Sequence, residues 1–183
     1  MIDRLMPVRE GLLLGVLAVA YGWGLGVAFG AVEDAMKDGL RSSAEASRAL
    51  YLEKSGGDAN SAAAAVKETL DKSWNYYQRA HLHAGAIGAV TIGLSLALAF
   101  LETARLWRRL ASSLLGLGAL GYPLFWMLAA QRAPALASTA AAKESLAWLA
   151  VPATASLLAG LVLSIGLLAG QLYRRRTRSE IHQ

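Results

Sequence analysis

Residues 74–93 of the chain read WNYYQRAHLHAGAIGAVTIG. In this stretch an amphipathic, water-exposed segment passes without a break into an apolar run, with His81 and His83 at the mouth of the run. A helix advances about 100° per residue, so the two imidazoles point about 200° apart. We therefore expect the histidines to face different neighbours, or only one of them to have a role, rather than to share one metal ion.

The apolar run that starts at His81 is one of four, each long enough to cross the roughly 30 Å hydrocarbon core of a bilayer. The strand alternation of a barrel is absent, so helices must pair the backbone groups. The 183 residues, 55% of them hydrophobic, therefore predict an all-α, polytopic membrane protein with a single membrane domain. We expect four transmembrane helices at about residues 10–32, 81–101, 110–130 and 146–172, and an extramembrane helical hairpin at residues 33–80 that extends the first two.

The amino-acid composition limits the cofactors and partners that the chain can bind. The chain has no cysteine, which excludes disulfides, thiolate metal sites and iron–sulfur clusters. The formal charge of +5 lies in short basic runs that flank the apolar segments. Such runs are typical of contacts with anionic lipid head groups, so membrane lipids are expected partners and nucleic acid is not.

The first apolar run has two interpretations. Its basic start and the small residues Ala28 and Gly30 resemble a secretory signal with a cleavage region. The run is longer than a usual signal core, which favours a retained transmembrane helix.

A stripe of glycines follows one face of this first helix. Its members fall within about 100° of one another on a helical wheel. Small residues let helices approach closely in lipid, so the stripe predicts a tight helix contact, within the chain or with another subunit. We therefore expect a homo-oligomer or a complex with other membrane subunits. The stripe comprises Gly11, Gly15, Gly22, Gly26 and Gly30.

The hairpin consists of two amphipathic stretches on either side of Ser55-Gly56-Gly57-Asp58. The glycines can end one helix, and Asp58, Asn60 or Ser61 can cap the next. At 1.5 Å per residue the hairpin would project about 30 Å from the membrane, where it could dock an extracytoplasmic protein partner.

Arginine placement predicts the orientation. The 102–109 link and the C-terminal tail YRRRTRSEIHQ carry seven arginines between them, whereas the 131–145 link carries Arg132 and Lys143. The excess of positive charge on cytoplasmic loops places both termini in the cytoplasm and the hairpin outside. In a bacterium this would be an inner-membrane protein.

Few residues are suited to catalysis or transport. The predicted helices are nearly free of ionisable residues, which argues against a proton pump, an ion-coupled transporter or a charge-lined channel. Metal motifs such as HExxH are absent, so an enzyme is not favoured. Transport of a small molecule needs a polar cavity lined from several helices, for which the sequence offers few candidates.

The segment RAHLHAGAIG, within Arg79–Gly93, resembles the histidine-containing second transmembrane helix of haem–copper oxidase catalytic subunits and their small membrane relatives. The resemblance implies that His81 or His83 is an axial ligand of a b-type haem. The third and fourth predicted helices contain no histidine, so the ligand count excludes a complete oxidase.

Helical geometry favours His81 as the ligand. Trp74, Tyr77, Gly85 and Gly88 share its face, where the glycines would leave room for a flat macrocycle and the aromatic rings would pack over its edge. A neutral imidazole is a good iron ligand. A second axial ligand would come from a symmetry mate, from another subunit or, with less support, from Met127.

An interfacial role for the histidines is the alternative, because Trp74, Tyr76 and Tyr77 form an ordinary aromatic belt. Two functions therefore remain open. The chain is an accessory or structural subunit whose hairpin docks a partner, or a small electron-transfer protein that binds b-type haem.

Overall fold

The computed structural model describes residues 2–181, and within them every regular element is a helix. A 3-10 turn, Met6–Val8, joins the first two α-helices. The α-helices are α1 (Ile2–Leu5), α2 (Arg9–Ala46), α3 (Arg48–Lys54), α4 (Ala59–Ala99), α5 (Arg105–Ala135), α6 (Thr139–Glu144) and α7 (Ala147–Ile181).

Four of these helices, α2, α4, α5 and α7, are long and apolar enough to cross a membrane. The predicted all-α, polytopic fold is therefore confirmed, and the four helices indicate an integral membrane protein. Within its most apolar window α5 is 44% buried, whereas α2 and α7 are 17% buried. The helix α5 is thus the most enclosed of the four, and α2 and α7 offer the most apolar surface to lipid.

The lipid-facing surfaces carry large side chains. On α2, Trp23 and Val27 are exposed, and on α7, Trp148 and Val162 are exposed. Large exposed apolar patches are rare on proteins in water, whereas a surface that faces lipid is apolar. These exposed side chains therefore agree with contact between the helices and lipid.

Helices α2 and α4 both continue beyond the predicted spans. In α2 the backbone leaves helical geometry at Val32, with φ −139° and ψ 27°, at the predicted end of the first span. The helix then resumes as far as Ala46. The longer helix α4 runs without a break from Ala59 to Ala99, as the prediction of a span extended by a hairpin arm requires.

The hairpin turns at the predicted break. Gly56 and Gly57 have φ of +64° and +86°, a left-handed conformation that favours glycine. The carboxylate of Asp58 then accepts hydrogen bonds from the backbone N–H groups of Asn60, at 3.4 Å, and Ser61, at 2.8 Å. Of the three capping residues considered, Asp58 therefore caps α4. These hydrogen bonds, above all those involving Ser61, hold the pKa of the Asp58 carboxyl below its usual value.

The chain divides into two compact units. The first unit consists of the described residues within 1–20, 84–121 and 152–183, and the second of Tyr21–His83 and Tyr122–Val151. Buried residues of the first unit form one cluster, and those of the second form two. These clusters are built on Val8, Leu98 and Ala111 in the first unit, and on Tyr76, Tyr77, Phe125 and, separately, Ala44, Tyr51 and Ala62 in the second.

Small residues bring the helices of the first unit together. A Cβ on Gly11 of α2 would lie 2.0 Å from the Ser112 hydroxyl of α5, and a Cβ on Gly118 of α5 would lie 2.5 Å from the Leu157 side chain of α7. Close backbone approach of this kind drives helix packing in lipid. Helix α5 therefore packs directly against both α2 and α7.

Candidate functional site

His81 lies on α4 in the second unit, with one edge of its imidazole against α2. Its Nδ1 is 2.7 Å from the carbonyl oxygen of Gly22. The ring packs over Gly26, where a Cβ would come within 2.9 Å of the imidazole Cε1. Phe29 meets the imidazole edge to face, with ring centroids 5.6 Å apart. Gly26 thus makes space for an imidazole of the same chain, and Gly22 offers it a carbonyl oxygen.

The contact with Gly22 assigns the tautomer of His81. A carbonyl oxygen only accepts, so a neutral His81 carries its proton on Nδ1 and donates it to Gly22. The lone pair then lies on Nε2. This is the arrangement in which metal-ligating histidines are held, with one nitrogen fixed by a backbone carbonyl and the other available for the metal.

Trp74 and Tyr77, the aromatic residues predicted beside His81, belong to a series of tilted and edge-to-face ring contacts in the second unit. Phe29 lies between His81 and Trp74, with its ring centroid 5.3 Å from that of the indole. Trp74 in turn meets Tyr77 at 6.1 Å. Tyr77 is buried in the core cluster, and Trp74 packs against it. Both side chains are therefore engaged in packing with residues of the chain.

Gly85 and Gly88, the two glycines predicted to leave room for a macrocycle, differ in the space beside them. A Cβ on Gly85 would meet no atom within 4 Å, so that position is open. At Gly88 the space is taken up by α2, since a Cβ there would lie 2.9 Å from both the Gly15 carbonyl oxygen and the Val19 side chain. A flat cofactor has no room at Gly88, because two helix backbones approach each other there. In the second unit, Nε2 of His81 has the chemistry of a haem ligand. In the first unit, Gly85 leaves open space and Gly88 does not.

His83 faces a different helix. Its ring meets Tyr122 of α5 edge to face at 5.2 Å, and Tyr122 meets Trp126 at 6.2 Å. The Nδ1 of His83 and the Nε1 of Trp126 are buried without a hydrogen-bond partner. The two histidines thus have separate neighbours, α2 for His81 and α5 for His83, as their angular separation predicts.

The glycines of the stripe that was predicted as an interface also differ in what they contact. Gly11, Gly15 and Gly26 contact α5 or α4 of the same chain, and Gly22 is buried beside His81. At Gly30 a Cβ would meet nothing within 4 Å. Contacts within the chain therefore account for most of the stripe.

A groove of about 610 Å³ lies between the hairpin arms of α2 and α4. Its apolar side chains come from both arms, with Leu40 on α2 and Val66 and Leu70 on α4. Its basic side chains are Lys37, Arg41 and Lys67, and its one acidic side chain is Asp71. We call it the hairpin groove.

Two of the three basic side chains in the hairpin groove have acidic partners. Lys37 pairs with Glu33 and also stands over the Trp74 ring, 4.8 Å from its centroid. Arg41 pairs with Asp38 at 2.7 Å. No ion pair among the described residues involves Lys67, which therefore offers an unneutralised charge.

The hairpin is hydrogen-bonded to the end of α5 and to the first residue of the link that follows it. The hydroxyl groups of Ser47 and Tyr51 donate hydrogen bonds to the carbonyl oxygens of Ala135, at 2.9 Å, and Pro134, at 3.2 Å. The ammonium group of Lys54 donates to Leu136 at 2.7 Å. Burial raises the pKa of Tyr51, so its hydroxyl stays protonated as a donor. Three consecutive carbonyl groups thereby hold α3 in place.

Sequence reasoning missed two polar features of the first unit. Ser95 and Ser112 form a buried hydrogen bond of 2.9 Å between α4 and α5. Arg108, read from sequence as one of the flanking basic residues, is buried. One signal was present, because Arg108 shares a helical stripe with the buried residues Ala111, Ser112 and Leu115.

Among the side chains that the structure describes, no three histidine, aspartate or glutamate side chains come together in a way that could hold a metal ion. Comparison with known protein families, characterised proteins and solved structures gives no match for this chain.

Proposed function

We propose that the protein is an accessory or structural subunit of a larger or homo-oligomeric membrane complex, and that its hairpin docks a protein partner. The hairpin groove supports this proposal, because its lining combines apolar side chains from both arms with Lys67, which has no ion-pair partner among the described residues. Protein interfaces combine apolar contacts with polar ones in this way. The partner segment would carry apolar side chains with a carboxylate beside them.

The anchoring of the hairpin adds support. Three hydrogen bonds from Ser47, Tyr51 and Lys54 to consecutive carbonyl groups restrict motion of the hairpin before a partner arrives. A surface that is already ordered loses less conformational entropy on binding. The near absence of ionisable residues in the apolar helices agrees with a structural role.

Mild-detergent copurification tests the proposal. The wild-type chain should return a stoichiometric partner or a self-oligomer. Lys67→Glu reverses the free charge at the groove and should reduce the recovered partner several-fold. Lys72→Glu is the matched control, since Lys72 is an exposed lysine of the same helix that lies outside the groove lining. A wild-type chain that elutes as a clean monomer would contradict the proposal.

A second candidate is electron transfer through a b-type haem on His81. The hydrogen bond from Nδ1 to the Gly22 carbonyl favours it, because Nε2 keeps its lone pair for iron. His81 would hold the haem, and Gly22 would orient the imidazole. The haem, when bound, would supply one-electron redox chemistry.

An absorption spectrum of the protein, purified in detergent from cells supplied with haem, separates the two candidates. A Soret band that is lost in His81→Ala and kept in His83→Ala would support the second. A colourless wild-type protein would eliminate the haem proposal and leave the first untouched.

A further inference from the structure

A cavity of about 550 Å³ lies in the first unit, where α4 ends and α5 begins. Four arginines and two carboxylates line it, so its lining has a formal excess of two positive charges. The charged residues are Asp3, Arg4, Glu102, Arg105, Arg108 and Arg174. We call this cavity the arginine pocket.

Arg108 is the most enclosed of these residues, with 9% of its surface exposed. Its Nη1 donates a hydrogen bond of 3.0 Å to the carbonyl oxygen of Ala99, the last residue of α4. Its Nε is buried without a hydrogen-bond partner, and it forms no ion pair with the side chains that the structure describes, those of residues 3–174 and 177.

Capping of α4 therefore does not account for Arg108. A carbonyl group neutralises no charge, and a buried guanidinium is disfavoured unless anions balance it, above all near lipid. The lining keeps an excess of two positive charges even with its two carboxylates, so an anion in the arginine pocket would supply the missing negative charge.

The other arginines of the pocket are exposed, so they can contact such an anion from the surface. Arg4 stands over the Phe100 ring, 5.9 Å from its centroid, and Arg105 and Arg174 are exposed. A planar guanidinium matches the oxygens of a phosphate with two parallel hydrogen bonds. Several such groups around one cavity suit a phosphate better than a single carboxylate.

The pocket also lies where an apolar helix gives way to polar residues. Helix α4 ends at Ala99, and the arginines begin six residues later. Phe100, Leu106 and Trp107 beside the pocket are 52%, 62% and 49% exposed. Exposed apolar and indole groups at a helix end are typical of the depth at which lipid head groups meet acyl chains. A phosphate at this depth belongs to a phospholipid.

We propose that the arginine pocket binds the phosphate group of an anionic phospholipid. Arg108 contacts the phosphate from within, the exposed arginines contact it from the surface, and the acyl chains lie along Phe100 and Leu106. This proposal is independent of the partner and haem proposals.

Native mass spectrometry of the full-length protein in detergent tests the inference. The protein is titrated with phosphatidylglycerol, with phosphatidylcholine and with inorganic phosphate. Arg108→Gln removes the buried charge but keeps a side-chain donor for Ala99. Arg105→Gln removes an exposed charge of the pocket without disturbing packing, so it remains informative if Arg108→Gln does not fold. Arg109→Gln is the control, because Arg109 pairs with Glu10 at 3.0 Å and does not line the pocket.

We expect phosphatidylglycerol to bind more tightly than phosphatidylcholine, whose choline cation the arginines repel. Loss of one arginine near the membrane surface should weaken phosphatidylglycerol binding about fivefold, and Arg109→Gln should leave it unchanged. Equal binding of the two lipids, or wild-type affinity in both pocket variants, would overturn the proposal. Binding of inorganic phosphate without phosphatidylglycerol would also overturn it and would identify a free phosphate as the ligand.

Discussion

The Nδ1 of His81 on α4 lies 2.7 Å from the carbonyl oxygen of Gly22 on α2. A carbonyl inside a helix is normally occupied by the N–H four residues later, so the imidazole uses its second lone pair. Gly26, one turn further along α2, has no side chain to keep the ring away. The same contact therefore joins two helices and determines which nitrogen of His81 is available for further chemistry.

Replacement by phenylalanine should change the stability of the protein differently at His81 and at His83. His81→Phe keeps a ring but loses the hydrogen bond to Gly22, and should destabilise the protein by about 1 kcal/mol. His83→Phe keeps the ring contact with Tyr122 and removes a buried nitrogen without a partner, so it should be neutral or slightly stabilising. Thermal unfolding in mild detergent measures both. Equal losses of stability would show that the Gly22 contact is not specific.

Gly11 and Gly30 should differ in their tolerance of alanine. A Cβ on Gly11 would lie 2.0 Å from the Ser112 hydroxyl and 2.2 Å from its backbone carbonyl oxygen, so α2 and α5 would have to move apart. Gly11→Ala should cost about 1–3 kcal/mol, as overpacking does in well-packed cores. Gly30→Ala, where a Cβ meets no atom within 4 Å, should not destabilise the protein. The two melting temperatures in detergent give the comparison, and a Gly11→Ala protein as stable as wild type would refute the close approach.

The two buried serines, Ser95 and Ser112, should contribute unequally to the stability of the protein. Ser112 donates to the carbonyl oxygen of Val8 at 3.0 Å, so in its hydrogen bond with Ser95 it must be the acceptor. Ser112→Ala loses both hydrogen bonds, whereas Ser95→Ala leaves the one to Val8 intact. Interhelical hydrogen bonds in membrane proteins average about 0.6 kcal/mol, and Ser112→Ala should cost roughly twice that. A double-mutant cycle on unfolding in detergent gives the coupling between the serines. A Ser95→Ala loss as large as that of Ser112→Ala would contradict this assignment of the donors.

The cap of α4 should depend on pH. The pKa of Asp58 is lowered from 3.8 in the folded chain, so the unfolded chain binds its proton more readily. The stabilisation by Asp58 is therefore fully present above the unfolded value and is lost as the pH falls through the lower, folded value. Hydrogen exchange of the first turn of α4 should accelerate between about pH 4 and the folded pKa, beyond the intrinsic trend. Asp58→Asn keeps an acceptor but does not titrate, and should remove this dependence. An unchanged profile in Asp58→Asn would assign the effect to other carboxylates.

The fold could be predicted from the sequence because lipid restricts the backbone more than water does. Four apolar runs of sufficient length have only helices available to them, and glycines followed by Asp58 mark a turn whatever surrounds them. The separation of His81 and His83 also depends only on helical periodicity, so their different neighbours were predictable. The helices α2 and α4 extend beyond the predicted spans, but the hairpin turns at the Ser55–Asp58 break, because local signals decide where helices end.

The partners of each face were decided only by the tertiary structure. Helical periodicity put Gly88 on the same face as His81 and predicted open space beside it. In the structure α2 occupies that space, because Gly15 and Gly88 let the two helix backbones approach each other closely. The same periodicity could not tell whether the glycine stripe meets this chain or another. Periodicity placed Arg108 on a stripe with Ala111, but only the packing showed that Arg108 is buried against the end of α4. Arg109, its neighbour in sequence, pairs with Glu10. Sequence spacing determines the direction of a side chain from its own helix, and the packing of the other helices determines what it meets there.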